Sequence, residues 1–153
     1  MKRNLLRELD PGGDAVREIA LSRSDADLLC TVAGERGHSA AVADLAGCHD
    51  RDGLLDSIAE ALEFPAWSSA NWEALFDCLV DLSWLPAGGH VLVLLNTAEL
   101  RRDAPEAFDT ALSIIREAAA LWQKRGGSLR VIVETPAAPG RPPHRGRRRN
   151  GKT

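Results

Sequence analysis

Val91-Leu-Val-Leu-Leu95 is an uninterrupted apolar run with the length of a β-strand. Two further short runs are also mainly apolar, Ser39-Ala-Ala-Val-Ala-Asp-Leu45 and Leu129-Arg-Val-Ile-Val133. None of the three alternates cleanly between apolar and polar residues, which is typical of strands in a parallel sheet that is covered on both faces. The runs therefore predict three buried strands.

Helical patterns separate these strands. In residues 50–64 the apolar positions recur at helical spacing behind an acidic first turn. Residues 71–82 are predicted as a second helix. A third is predicted over 103–125, with Asp103 as its N-cap, a proline in its first turn and Gly126-Gly127 after its end. Strands that alternate with helices imply an α/β layer with a small, mostly parallel sheet.

The chain is expected to divide into an α/β domain over residues 38–135 and segments on either side of it. Residues 1–37 form an N-terminal extension, in which 15–21 fits either a strand or extended chain and 24–37 fits a helix. After Thr135 the composition changes to proline, glycine and arginine, which predicts a basic disordered tail over residues 136–153.

Charge and composition exclude several classes of protein. The chain has 19 basic and 22 acidic residues, but six of the basic ones lie in the tail, which leaves 13 against 22 and a net charge of −9 in residues 1–135. No apolar run approaches the roughly 18 residues of a membrane helix, and no signal-peptide apolar region follows Met1. Three widely spaced cysteines, Cys30, Cys48 and Cys78, argue against a disulfide framework or a zinc site. We therefore predict a reduced, cytoplasmic protein without a metal.

The second predicted helix has an unusual outward face. On a helical wheel at about 100° per residue, apolar residues fill one side, whereas Glu73, Phe76, Asp77 and Val80 fall opposite. Glu73 and Asp77 are four residues apart, and like charges at that spacing repel by a few tenths of a kcal/mol. Residues 48–82 contain eight acidic residues and one arginine. The face is either a solvated acidic surface with a tolerated phenylalanine or a binding surface for a strongly basic partner.

The tryptophans are interpreted individually. Trp67 lies in a loop rich in serine, proline and alanine just before this helix. Its ring either packs back on the protein or contacts a partner, and both interpretations stay open. Trp72, Trp84 and Trp122 are predicted to lie in the core or at its edge.

Catalysis is not predicted from this pattern. Glu73 and Asp77 could act as general acid and base, but an open helix face does not desolvate them as that chemistry requires. Cys78 falls on the core side of the helix and is expected to act as a small buried hydrophobe rather than a nucleophile. No glycine pattern matches a phosphate-binding loop or a dinucleotide site, so no cofactor is expected.

The stretch Asn71-Trp-Glu-Ala-Leu-Phe-Asp-Cys-Leu79 resembles the barstar family, the intracellular protein inhibitors of barnase-type ribonucleases. It carries the family's Asn-x-acid-Ala-Leu-x-Asp-Cys-Leu pattern, and the order of elements is similar from about His38 to Thr135. The resemblance implies a three-stranded parallel sheet packed with helices. It also implies a binding surface made of the second helix and the loop before it.

The resemblance further implies roles for individual side chains. Asp77 matches the carboxylate that enters the ribonuclease's phosphate pocket, and Glu73 matches a second binding carboxylate. Phe76 and Trp67 match aromatic contacts. The segment before Glu117 resembles one that carries a further acidic contact. The residues predicted to bind a partner are Trp67, Asn71, Glu73, Phe76, Asp77, Val80 and Glu117.

The predicted function is inhibition of a basic, secreted or toxin-type ribonuclease by occupation of its active site, which protects the host's own RNA. One alternative is an acidic module that binds another basic protein without inhibiting a nuclease. Another is weak nucleic-acid binding through the arginines of 141–149, which the net charge of −9 on the remainder would oppose. The tail could otherwise serve solubility or fold back onto the acidic face.

Overall fold

A computed structural model describes residues 5–10, 14–65, 71–85 and 88–136. A short 3-10 helix at Arg7–Leu9 comes first. The elements that follow are, in chain order, β1 (Val16–Ile19), α1 (Arg23–Glu35), β2 (Ser39–Asp44), α2 (Arg51–Ala61), α3 (Trp72–Asp81), β3 (Gly89–Leu95), α4 (Ala98–Asp103), α5 (Pro105–Lys124) and β4 (Ser128–Glu134).

The strands form one parallel sheet in the order β1-β4-β3-β2. All seven residues of β3 are buried. Val91, Val93 and Leu95 belong to the apolar cluster under α1, whereas Leu92 and Leu94 belong to the larger cluster under α2, α3 and α5. Helices therefore cover both faces of the sheet, which confirms the predicted α/β class with a parallel sheet.

The prediction of three strands is wrong, because the described residues form a sheet of four. The additional strand is β1, which lies in the stretch 15–21 and pairs with β4 at the edge of the sheet. Only Val16 of its four residues is buried, and Arg17 and Glu18 follow it. An edge strand this short and polar leaves no apolar run in the sequence.

The third helix, predicted over 103–125, corresponds to α5, and the short α4 that precedes it was not predicted. Asp103 caps neither of them. Ala104 lies between the two helices with φ −144° and ψ 60°, because a residue before proline is disfavoured in the helical region. Asp103 instead accepts hydrogen bonds from Arg102 and pairs with His49. Pro105 is the first residue of α5, a position that suits its fixed φ angle.

The N-terminal segment contributes to the domain core through α1, whose Leu29 is fully buried beside Val93 and Ile132. The predicted disordered tail lies outside the described residues from position 137 onward. Among the described residues, none of the helices has the length and apolar character that crossing a bilayer requires.

His90 is a buried titratable residue at the start of β3, where it is 1% exposed. Its Nδ1 lies 2.6 Å from the Ser39 hydroxyl, and its ring packs edge-on against Trp122 with 4.9 Å between ring centroids. Its Nε2 has no hydrogen-bond partner among the described residues. Burial lowers the pKa of His90, and the nearby His38 lowers it further. The imidazole is therefore neutral in the folded protein near neutral pH.

We expect the free energy of unfolding to decrease as the pH falls below about 6.5, the ordinary pKa of histidine in an unfolded chain. In that range the unfolded chain takes up a proton that His90 does not accept in the folded state. This residue can therefore lower stability by at most about 1.4 kcal/mol per pH unit. Urea unfolding between about pH 5 and pH 8 measures the slope, and His90→Gln should make it shallower. An equal slope in both proteins would contradict the assignment.

Candidate protein-binding site

The inner face of α3 holds this helix against the core. Asn71 caps its start, because the side-chain oxygen accepts a hydrogen bond of 2.7 Å from the Ala74 N–H. Leu75 and Leu79 are fully buried. The helix is closed by Leu82, a buried residue in the left-handed conformation with φ 47°. These contacts determine which side of α3 faces outward.

Trp122 of α5 and Arg125, the residue just after α5, hold the C-terminal end of α3. The last carbonyl groups of a helix lack partners within the helix. Trp122 Nε1 donates to the Leu79 carbonyl at 2.7 Å, and Arg125 Nη1 donates to the Val80 carbonyl at 2.7 Å. The Arg125 guanidinium also lies over the Trp122 ring, 5.4 Å from its centroid. These bonds fix α3 and α5 to each other at this end.

Replacing Trp122 by phenylalanine is expected to lower the free energy of unfolding by about 1–3 kcal/mol. The substitution retains an aromatic ring beside His90 but leaves the Leu79 carbonyl without its donor. Urea denaturation measures the change. Arg125→Gln is the control, because Arg125 is exposed and its loss should cost under about 1 kcal/mol. A Trp122→Phe protein as stable as the unsubstituted one would contradict the role given to this hydrogen bond.

Side chains of α3 and α5 line an open groove of about 510 Å³. Trp72 and Phe76 from α3 and Ile114 from α5 form its apolar part, and all three are partly buried against the core. The exposed carboxylates that line the same groove are Glu73, Asp77 and Glu117. The groove thus combines aromatic rings with negative charges from two separate helices.

The acidic side chains of the groove have no counter-charge in the described part of the chain. None of the ion pairs or hydrogen bonds found there involves Glu73, Asp77 or Glu117. Glu73 and Asp77 are one helical turn apart and repel each other. A cation supplied by a partner would therefore gain attraction without displacing an internal ion pair.

The structure brings together most of the predicted partner-binding residues and separates two of them from the groove. Asn71 is exposed and uses its side-chain oxygen to cap α3. Val80 packs against the core and offers its carbonyl to Arg125. Trp67 lies outside the described residues. The predicted residues that line the groove are Glu73, Phe76, Asp77 and Glu117.

The outward face of α3 is only partly as predicted. Phe76 and Val80 were placed opposite the core, but both are partly buried and pack against it. The reason is that α5 lies beside α3 and covers one flank of that face. Glu73 and Asp77 are exposed, as the helical wheel predicted.

Sequence reasoning did not assign Trp72 and Ile114 to the site. Ile114 precedes Glu117 by three residues, and residues at that spacing are neighbours on a helix surface, so this signal was available. Trp72 is partly buried at the core edge, as predicted. Trp72 also lines the groove, because α5 lies beside it. The position of α5 is set by long-range packing, which no local sequence pattern encodes.

The other tryptophans also lie where they were predicted. Trp84 is partly buried against the core, and its Nε1 donates to the Leu62 carbonyl at 2.9 Å. Its ring meets Phe64 edge-on, with 5.9 Å between ring centroids. Trp122 is likewise packed against the core. These residues stabilise the domain from its edges.

In the described part of the chain, the Cys78 thiol of α3 is not activated as a nucleophile, and no metal-binding group is present. Burial raises the pKa of the Cys78 thiol, and the charges of Asp77 and Asp81 raise it further, so the thiol is protonated and a poor nucleophile. Within the described ranges, no group of three or more histidine, cysteine, aspartate or glutamate side chains could hold a metal ion. What the groove offers is charge and apolar surface, which suit binding.

Fold and groove together describe a parallel α/β protein with an acidic, partly aromatic groove between two helices. A family model described as Barstar (barnase inhibitor) matches residues 38–134. The match covers more than half of the 153 residues, so the chain belongs to the barstar family, as its helix motif predicted. None of the curated proteins compared with the chain matches it.

Proposed function

We propose that this protein inhibits a basic ribonuclease by placing the outward face of α3 and the adjoining groove in the enzyme's active site. The observation that carries the proposal is the set of three exposed carboxylates around one groove, with no cation paired to them in the described residues: Glu73, Asp77 and Glu117. Ribonuclease active sites hold phosphates with arginine, lysine and histidine. Carboxylates on a folded helix can satisfy those cations and contain no bond that the enzyme cleaves.

The proposed interface has a charged centre and apolar surroundings. Asp77 supplies the central carboxylate, because Glu73 lies one turn before it and Glu117 approaches from α5. Phe76 contributes apolar surface that loses water on association. The remaining residues proposed to contact the enzyme are Trp67, Asn71 and Val80.

Long-range attraction supports the same function. Residues 1–135 have a net charge of −9, and eight of the acidic residues lie in 48–82. A field of this sign attracts a basic enzyme and raises the association rate at low salt. The proposed place of action is the cytoplasm, and the three free cysteines suit a reducing compartment.

The test is an inhibition assay against a panel of small basic ribonucleases. RNA hydrolysis by at least one of them should cease when the protein reaches a one-to-one ratio with the enzyme. The combined variant Glu73→Gln, Asp77→Asn, Glu117→Gln should fold normally and fail to inhibit. Binding in titration calorimetry with undiminished RNA hydrolysis would contradict the proposal and favour an acidic interaction module without nuclease inhibition.

A further inference from the structure

We infer that the basic segment 141–149 of this chain occupies the groove between α3 and α5 in the free protein and competes there with the basic partner. The competition rests on the proposed function, whereas the docking does not. The segment reads Arg141-Pro-Pro-His-Arg-Gly-Arg-Arg-Arg149, with five arginines and no acidic residue. It belongs to the part of the chain outside the described residues.

The groove matches the chemistry of an arginine-rich and proline-containing segment. Guanidinium groups bind carboxylates through paired hydrogen bonds, and the groove exposes Glu73, Asp77 and Glu117 without internal partners in the described residues. The rings of Trp72 and Phe76 line the same groove. Guanidinium planes stack on such rings, so charge and apolar surface both favour this occupant.

The last described residues before the basic segment lie close to the start of α5. Arg101 donates to the Glu134 carbonyl at 3.1 Å and so holds the end of β4 beside α4. The same guanidinium lies 4.6 Å from the centroid of the Phe108 ring, in the first turns of α5. Glu117 is nine residues further along that helix, about 14 Å at 1.5 Å per residue, and half the helix circumference adds about 16 Å across. These two distances are perpendicular, so the shortest path over the helix surface is about 21 Å.

The connecting residues are long enough to span this path. Arg141 is five residues beyond Pro136, and Arg149 is 13 residues beyond it. Fully extended chain reaches about 17 Å over five residues and about 43 Å over 13. The path of about 21 Å falls between these limits, so the arginines from 145 to 149 can reach the groove without extreme extension.

Attachment to the same chain increases the occupancy that weak contacts can give. Single exposed ion pairs bind weakly and are screened by salt. A segment tied to the same molecule nevertheless meets the groove at an effective concentration in the mM range. A ribonuclease with a preorganised cationic site displaces it, so the segment slows association more than it changes the final complex.

The docking is tested in the full chain without any ribonuclease. One variant has glutamine in place of Arg145, Arg147, Arg148 and Arg149, and a control variant has lysine at the same positions. Raising the salt from about 20 mM to about 500 mM should shift the ¹H–¹⁵N signals of residues 73–77 and 114–117 in the unsubstituted chain. The lysine control keeps the charge but not the paired hydrogen bonds and ring stacking, so it should show the same shifts at smaller size. The glutamine variant should lack these shifts, and a free peptide of sequence 141–149 should restore them.

Three results would overturn the docking. The first is identical salt responses in the unsubstituted chain and the glutamine variant. The second is a response centred on α2, whose exposed acids include Asp52, Asp56 and Glu60, instead of the groove. The third is a response that grows with protein concentration, because that would identify binding to a second copy of the chain.

Competition is measured by stopped-flow association with a ribonuclease that the protein inhibits. The glutamine variant should associate about threefold to tenfold faster than the unsubstituted chain at low salt, and the rates should converge at high salt. A charge-matched control carries glutamine at the exposed positions Arg7, Arg23, Arg36 and Arg51. An equal increase of the association rate in that control would show that net charge alone explains the faster association, and this would overturn the competition.

The two measurements separate this inference from the proposed function. Spectra without groove docking, together with intact inhibition, contradict the inference alone. Groove docking in a protein that inhibits no ribonuclease supports the docking and contradicts the proposed function.

Discussion

Replacing Asp77 by asparagine is expected to weaken the complex with the proposed target ribonuclease by about 2–5 kcal/mol, roughly a 30-fold to 5,000-fold increase in Kd. The substitution preserves the shape of the side chain and removes the proposed central charge of the interface. A cation of the enzyme that has lost its water on association would then lack a counter-charge, and this accounts for most of the cost. Titration calorimetry or ribonuclease inhibition measures the change.

Asp81→Asn is the matched control for this experiment. Asp81 is an exposed acid on the same helix, and it is not among the residues that line the groove. Its substitution should change Kd by less than about threefold. Asp77→Asn itself should unfold at the same denaturant concentration or slightly higher, because removing the charge relieves repulsion with Glu73. Equal losses of affinity in the two variants would place the binding surface elsewhere.

Replacing Leu79 by alanine is expected to lower the free energy of unfolding by about 2–5 kcal/mol, which corresponds to a fall in Tm of roughly 5–15 °C. Leu79 is fully buried in the core cluster that α3 shares with the sheet and α5. The smaller side chain loses its apolar contacts and leaves a cavity that rigid neighbours fill only in part. Chemical and thermal denaturation measure the loss.

Val80→Ala provides the comparison, because Val80 is adjacent on α3 and only partly buried. It should cost about 1 kcal/mol or less. At temperatures where the Leu79→Ala protein is still folded, its affinity for the ribonuclease should be close to that of the unsubstituted protein, since Leu79 faces inward. A loss of stability no greater than that of Val80→Ala would contradict the assignment of Leu79 to the core.

The central part of the fold was predictable because its signals are local. The apolar run of β3 is continuous because all seven of its residues are buried, and the apolar residues of β2 and β4 pack into the clusters on both faces of the sheet. For 15–21 the sequence left a strand and extended chain equally open, because hydrogen bonding to β4 creates β1 and only Val16 is buried. Pro105 was correctly interpreted as the start of a helix, but Ala104-Pro105 also signals that a preceding helix must end there, and α4 was not predicted.

The candidate site was predictable only in part, because two helices form it. Periodicity within α3 was sufficient to place Glu73 and Asp77 on the outward face. Glu117 entered the prediction through resemblance to the barstar family, and its position beside α3 depends on long-range packing of α5. The same packing explains why Phe76 and Val80 are partly buried although the wheel placed them opposite the core.

The contacts that position α3 do not use the acidic side chains of the groove. Asn71 closes its first turn, and Trp122 and Arg125 hold its final carbonyl groups. None of these bonds uses Glu73 or Asp77. A protein engineer can therefore exchange Glu73 and Asp77 and keep the helix in its position, so the domain can serve as a platform for designing new binding surfaces.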